Sequence, residues 1–365
     1  MDTSALGRFC LALIGASWIA GARAGGAGPG PASGLAGCTS TCLDNGGYCV
    51  FGANQDNTFI QGTLFVNKRG IVKTGWEAGT TGRQARWTSR YGSVTVNMAG
   101  YQLAWGGMNE AGLMVSTLQL SGTKPPAADE RPAIGNAFWV QYQLDNFATI
   151  EEVVASDSAV RVSYTVDHYF ACDRNGDCAT IEFLDGKMVV HAGAGLPVRA
   201  LTNDTYDRSV KAWREGDLAS DSLARFASVA DALQRFTPGD EKAAIYYSFF
   251  VQSLVRRSIT AWTLVFDAKN RQMYFTTIGN PSIRQIDLGK LDFSSGTPVQ
   301  ALDIHASLAG DITGSLPRYS HRSSLARSIE AFKVLAPSIP RETIESHLRD
   351  FERFPRAASE NGQAD

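Results

Sequence analysis

Gly37-Cys38-Thr39-Ser40-Thr41-Cys42-Leu43-Asp44-Asn45-Gly46-Gly47-Tyr48-Cys49 is the stretch on which the reading of this chain turns. Its centre carries a hairpin signal. Asn-Gly is the preferred two-residue type I′ dipeptide, because both central positions need positive φ. A turn at Asn45-Gly46 sets Cys42 directly opposite Cys49. Further along, Cys172-Asp173-Arg174-Asn175-Gly176-Asp177-Cys178 repeats the arrangement, with a three-residue loop ending at Gly176 that sets Cys172 opposite Cys178. Directly opposed strand residues have Cα separations compatible with a disulfide. The spacing allows two cross-hairpin disulfides with Cys38 as the odd thiol. It also allows five free cysteines buried as small hydrophobes.

Upstream, the sequence reads as an export signal over residues 1–24. Arg8 is a short basic region, Phe9 to Ala22 an apolar one, and Ala22-Arg23-Ala24 a small-x-small cleavage site. The alternative, a buried N-terminal helix, fits poorly with the Gly/Pro/Ala/Ser run from Gly25 to Gly34. Residues 25–37 are read as a flexible pro-segment removed on maturation. The expected location is periplasmic or secreted, where disulfides persist.

Downstream, short β-rich runs alternate with turn signals. The expected strands are Tyr48-Gly52, Thr63-Asn67, Ser93-Met98, Leu113-Leu118, Tyr164-Ala171, Ala179-Leu184, Met188-His191, Thr260-Asp267 and Gln272-Ile278. Helical periodicity covers Ala133-Asp145, Ile150-Ala155, Tyr206-Arg214, Ser222-Phe236 and Glu241-Arg257, with a Thr149/Glu152 capping box before the second. Strands in blocks with helices between them predict an α+β fold rather than a parallel α/β sheet. No strong linker interrupts the chain to about residue 290. The expected layout is one domain over 38–320, then an extension over 321–365 with helices at Ser323-Leu335 and Arg341-Phe351 and a polar, disordered tail.

A formal net charge of -2 leaves no electrostatic footprint for nucleic acid. No later apolar run is long enough for membrane insertion once the signal is removed. HExxH, CxxC, Walker and Gly-x-Ser-x-Gly motifs are absent, and the five histidines are scattered. No cofactor and no metal are therefore expected. Cys38 remains. If it becomes the first residue, its thiol and its α-amine sit on one residue. An α-amine with a pKa near ~8 is partly neutral at physiological pH and can act as the base. Such a site needs no histidine. It needs a carboxylate to orient the amine, a donor for the oxyanion, and a cation near the sulfur.

Cys38-Thr39-Ser40, Gly52-Ala53-Asn54-Gln55-Asp56, Trp87-Thr88-Ser89-Arg90-Tyr91-Gly92-Ser93, Gly107-Met108-Asn109-Glu110-Ala111-Gly112-Leu113, Leu201-Thr202-Asn203-Asp204-Thr205-Tyr206-Asp207 and Ser222-Leu223-Ala224-Arg225-Phe226 occur in that order. Together they resemble the choloylglycine hydrolase and penicillin V acylase family, from Cys38 to about residue 290. The resemblance implies a four-layer αββα N-terminal-nucleophile sandwich and hydrolysis of a linear amide through a thioester. The substrate would be an N-acylated small molecule: penicillin V-like, bile salt-like, an N-acyl homoserine lactone or an N-acyl amino acid. It also implies roles. Cys38 matches the nucleophile, Asp56 the carboxylate that holds its α-amine, and Asn203 the side-chain oxyanion donor. Arg225 matches the cation near the thiol, and Gln119 the residue whose backbone N–H completes the oxyanion hole. One departure stands out: Ala53 occupies the position of a basic residue usual in the family, so thiolate stabilisation is expected to rest more on Arg225.

Each residue has a plainer reading. Asp56 alone would be a turn aspartate, Asn203 a loop or cap residue, Arg225 a solvated helix charge, and Gln119 an outward strand polar group. Cys38 has a rival role too. Leu35-Ala36-Gly37-Cys38 matches a lipobox, which would make Cys38 the lipid anchor of a non-catalytic binding module. The Gly/Pro run between that motif and the apolar segment speaks against it. Homo-oligomerisation is left open.

Overall fold

In the computed structural model, which describes residues 36–57, 61–75, 83–98, 104–335, 340–342 and 345, the quoted stretch is a hairpin of Ala36–Asp44 against Cys49–Asn57. The turn falls one residue later than Asn45-Gly46. Asn45 N–H donates to Tyr48 O at 2.9 Å, closing a two-residue loop of Gly46 and Gly47 with φ of 72° and 97°. Two adjacent positive φ values suit glycine best. Asn45 is engaged elsewhere: its side-chain amide donates to Tyr48 Oη and Gly239 O, and its carbonyl accepts the Gly239 N–H. Cys42 therefore faces Phe51 while Cys49 faces Asp44. The Cys42–Cys49 disulfide runs diagonally across the ladder, with a Cα separation of 5.6 Å. Cys172 does pair directly with Cys178 and is bonded to it, with a Cα separation of 4.1 Å. The four sulfurs lie within 4.8 Å of one another, and Cys38 is the free cysteine among the described residues.

The first hairpin belongs to a seven-stranded sheet. Its order is Ala200–Leu201, Ala36–Asp44, Cys49–Asn57, Thr260–Asp267, Gln272–Thr277, Arg284–Asp287 and Gly310–Asp311. The second sheet has eight strands, in the order Lys187–Ala192, Cys178–Leu184, Asp167–Cys172, Met114–Gln119, Ala104–Asn109, Ser93–Asn97, Thr63–Asn67 and Gln300–Asp303. One core joins the facing sides of the two sheets; Phe51 of the first stacks on Phe170 of the second at 5.5 Å. Helices Asp221–Gln234 and Glu241–Leu254 cover the outer face of the first sheet. Helix Asn136–Asn146 covers the second, where Trp139 stacks on Tyr169 at 4.1 Å. The result is the four-layer αββα sandwich. Strands covered on both faces do not alternate apolar with exposed polar residues; every residue of Thr260–Asp267 is buried, Asp267 included.

Several local expectations move. Ala133–Gly135 is a strand paired in parallel with Arg161–Tyr164, and the helix starts only at Asn136. Ala36 and Gly37, grouped in the sequence with a flexible segment, continue the Cys38 strand and pair with Asn57 and Asp56. The Thr149/Glu152 capping box is present. Strands Gln300–Asp303 and Gly310–Asp311 carry the sheets past residue 290, and a helix follows at His321–Leu335. The expected signal at 1–24 and the polar tail lie outside the described residues, as does most of Arg341-Phe351. Among the described residues no helix is long and apolar enough to cross a membrane.

Candidate active site

Cys38 sits on a strand flanked by Ala200–Leu201 on one side and the Asp56 strand on the other, and is 2% exposed. Its backbone N–H donates to Asn203 Oδ1 at 2.7 Å. Arg225, on the covering helix, donates through Nη1 to Cys38 O (2.5 Å) and Thr39 Oγ1 (2.8 Å), and through Nη2 to Asn203 Oδ1 (2.8 Å). Asn203 Nδ2 donates to Gln119 O at 2.9 Å. Asp56 stands opposite Gly37 in the ladder. Residues 56, 203 and 225, distant in sequence, thus converge around Cys38, with Gln119 joined through Asn203. Gln119, expected to offer its backbone N–H, is tied in through its carbonyl.

The electrostatics follow from burial. Burial pushes the Cys38 thiol up to about 12, and the charges of Asp56 and Asp167 push the same way. The Asp56 backbone N–H and Arg225 pull against them. Burial also raises Asp56, opposed by the Thr260 hydroxyl and by the charges of Arg225 and Arg257, while Asp221 adds to the rise. Thr260 Oγ1 donates to Asp56 Oδ1 at 2.5 Å, whereas Asp56 Oδ2 is buried with no hydrogen-bond partner among the described residues. Buried polar atoms are rarely left so.

Other residues support this centre without having been given a role in the sequence. His168 Nε2 donates to Thr202 O at 2.7 Å, and its Nδ1 faces Glu182 Oε1 at 3.1 Å, fixing the backbone just before Asn203. Ser222 Oγ accepts the Asn203 N–H at 2.8 Å. Both lie in segments read correctly as strand or helix, but neither pattern marks a partner so far along the chain. Ala53 is 7% exposed and puts no charge near the sulfur.

Much of the recognisable motif sequence is structural. Asn109 donates to Leu144 O and Phe147 O and accepts from the N–H groups of Ala111 and Leu113. Glu110 Oε1 accepts the Gly92 N–H, and Trp87 Nε1 donates to Asp145. Asn54 donates to Gln252 O and accepts from Thr263 Oγ1. A surface cleft of about 470 Å³, lined by Gly195, Pro197, Tyr206, Lys211 and Arg214 among others, includes none of the five candidate residues.

Comparison with known proteins identifies the family and the fold. The model of the linear amide C–N hydrolases of the choloylglycine hydrolase family matches residues 38–243. A penicillin V acylase of Pectobacterium atrosepticum is 27% identical, covering 57% of this chain and 69% of the relative. The solved penicillin V acylase of Agrobacterium tumefaciens superposes with a TM-score of 0.67 at 26% identity, over 78% of this chain and 98% of that one. A mutant conjugated bile acid hydrolase of Clostridium perfringens shares the fold with a TM-score of 0.60 at 17% identity, over 73% of this chain and 96% of that one.

Proposed function

The chain belongs to the choloylglycine hydrolase family of linear amide C–N hydrolases, and from that premise we propose that Cys38 becomes the N-terminal residue and is the nucleophile. Its freed α-amine takes the thiol proton as the sulfur attacks the substrate carbonyl. The C–S bond forms and the carbonyl electrons move onto oxygen, where the Asn203 amide donates a hydrogen bond. The amine returns the proton to the leaving nitrogen, the C–N bond breaks, and a thioester remains on Cys38. Water, deprotonated by the same amine, then releases the acid and restores the thiol.

The observation that carries this reading is the unpartnered, buried Asp56 Oδ2 facing the strand where Gly37 precedes Cys38. Cleavage of the Gly37–Cys38 bond turns an amide N–H into an amine with further hydrogens, and in this reading Asp56 accepts one. Burial pushes the thiol up to about 12, and a buried thiol becomes a nucleophile only with a base at hand.

The substrate is an N-acylated small molecule. The relatives' names point to penicillin V and conjugated bile acids, and N-acyl homoserine lactones and N-acyl amino acids complete the panel. Two disulfides support export to an oxidising compartment. The lipid-anchor role for Cys38 gains nothing here, because a diacylglyceryl group would have to leave from a buried sulfur beside Arg225 and Asn203. The test is amine release from that panel by wild type and Cys38→Ala, with the intact mass of the active species. Activity dependent on Cys38, in a chain beginning at Cys38, is expected. Equal activity in Cys38→Ala would remove the central claim.

A further inference from the structure

The turn from helix Glu241–Leu254 into strand Thr260–Asp267 brings two side chains to Asp56 that no motif marks. Arg257 N–H donates to Thr260 Oγ1 at 2.8 Å, and Thr260 N–H donates to Arg257 O at 3.1 Å, so the two residues lock each other. Thr260 Oγ1, its acceptor role filled by Arg257, has its hydrogen directed to Asp56 Oδ1. The Arg257 guanidinium reaches over Gly37. A Cβ built on Gly37 would lie 2.5 Å from Arg257 Nη1, 3.3 Å from Asp56 Oδ2 and 3.4 Å from Arg225 Nη2. Arg257 Nε is also 4.0 Å from Asp221, the carboxylate that pairs with Arg225 at 2.9 Å.

We propose that Arg257 and Thr260 form a clamp that keeps the Asp56 carboxylate charged and aimed at the Cys38 nitrogen, with Arg257 supplying the second cation that Ala53 does not. This rests on the reading of Cys38 as an N-terminal nucleophile. Thr260 fixes one carboxylate oxygen, which leaves Oδ2 pointed at the Gly37–Cys38 peptide. Arg257 Nη1 lies against Gly37 and would have to swing aside for any larger residue there. When Gly37 is gone, the guanidinium faces the space next to the new amine and opposes the cost of a charged, buried carboxylate. The charged groups facing Asp56 are then Arg225 and Asp221 from the covering helix, Arg257 from the turn and Cys38 from the neighbouring strand, with Asp167 acting on the thiol from the opposite sheet. Arg257 and Thr260 are positioning residues and act through Asp56.

The experiment is the pH dependence of kcat/KM for amide hydrolysis by the processed enzyme, in wild type, Arg257→Ala, Arg257→Lys, Thr260→Val and Thr260→Ser, with Cys38→Ala as control. The reaction needs Asp56 ionised and the amine neutral. Loss of a cation raises both pKa values, so the acid limb of Arg257→Ala should move up by roughly one pH unit. Thr260→Val should move it in the same direction. Arg257→Lys and Thr260→Ser should bring it back toward wild type, since charge and hydroxyl are retained. An Arg257→Ala limb that superimposes on wild type, or a lower rate with no displacement of the limb, overturns the clamp. Failure of Arg257→Lys to restore the limb also overturns it. A wild type without Cys38-dependent hydrolysis removes the functional reading, and the clamp with it. The two failures are told apart by the wild-type and Cys38→Ala arms alone.

Discussion

Replacing Asn203 separates an oxyanion donor from a structural tie. Its side chain makes three bonds: Oδ1 accepts from Cys38 N–H and Arg225 Nη2, and one Nδ2 hydrogen goes to Gln119 O. The second Nδ2 hydrogen is the one available to a tetrahedral oxygen. Asn203→Ala removes all of these. Cys38 N–H, Arg225 Nη2 and Gln119 O lose this partner at a cost of about 1–3 kcal/mol each if no water replaces it. Asn203 itself is only half-buried, so the lower end applies and the fold should survive, given typical stabilities of about 5–15 kcal/mol. The lost transition-state bond should lower kcat by roughly 10²–10³, or about 3–4 kcal/mol, with little change in KM. Asn203→Asp keeps the acceptor for Cys38 and Arg225 but has no amide hydrogen, so its kcat should fall as far while its melting temperature stays nearer wild type. Alkylation of Cys38 by iodoacetamide develops no oxyanion and should be nearly unchanged in Asn203→Ala. If kcat in both variants stays within about threefold of wild type, or if alkylation slows as much as turnover, Asn203 is a structural tie and its assignment as donor is wrong.

Arg225→Ala should act before substrate arrives: with that cation gone the apparent thiol pKa rises and alkylation of the free enzyme slows, which a pH–rate profile of alkylation would read. In denatured, unreduced chain beginning at Cys38, one thiol should titrate before reduction and five after; five before reduction would exclude the disulfides. Breaking Cys172–Cys178 by Cys172→Ser and Cys178→Ser together should cost about 2 kcal/mol by loop-closure entropy, measured by urea unfolding in oxidising buffer. Burial raises Asp167 to about 6, with Asn136 Nδ2 opposing from 2.6 Å. The folded state therefore binds its proton more tightly than the unfolded chain, and stability falls as pH rises from about 4 to 6. Asp167→Asn should be the more thermostable protein at pH 7 and lose that advantage by about pH 4; an advantage independent of pH would show that Asp167 is not the titrating group.

What could be read along the chain was local. Thr63–Asn67 and Thr260–Asp267 are strands with the bounds their composition suggested, and Ile150–Ala155 is a helix with its capping box. The sequence order of six short motifs was enough to identify the family and its sandwich, because motif order survives where overall identity does not. Those motifs do not all mark chemistry: Asn109, Glu110 and Trp87 hold turns and helix ends, whereas Asp56, Asn203 and Arg225 meet around Cys38.

Register and convergence were decided by the tertiary structure. The dipeptide Asn45-Gly46 signals a turn, but the buried contacts of Asn45 with Gly239 and Tyr48 move that turn to Gly46-Gly47, and a one-residue shift changes every facing pair. Ala133–Gly135 left the helical pattern because it pairs with Arg161–Tyr164, a partner that periodicity cannot see. The direction of each pKa is likewise a tertiary property, since the burial that raises Cys38 and Asp56 comes from two sheets and a covering helix closing over them. Arg257 reads in sequence as one more charge at the end of the helical segment Glu241-Arg257, which in the structure stops at Leu254. It becomes part of the Cys38 site only because a sheet pairs Thr260 with Asp56 and Asp56 with Gly37, laying three distant segments side by side. Propensity and motif act over a few residues, while the field at a buried carboxylate is set by whatever the fold brings within a few ångströms of it.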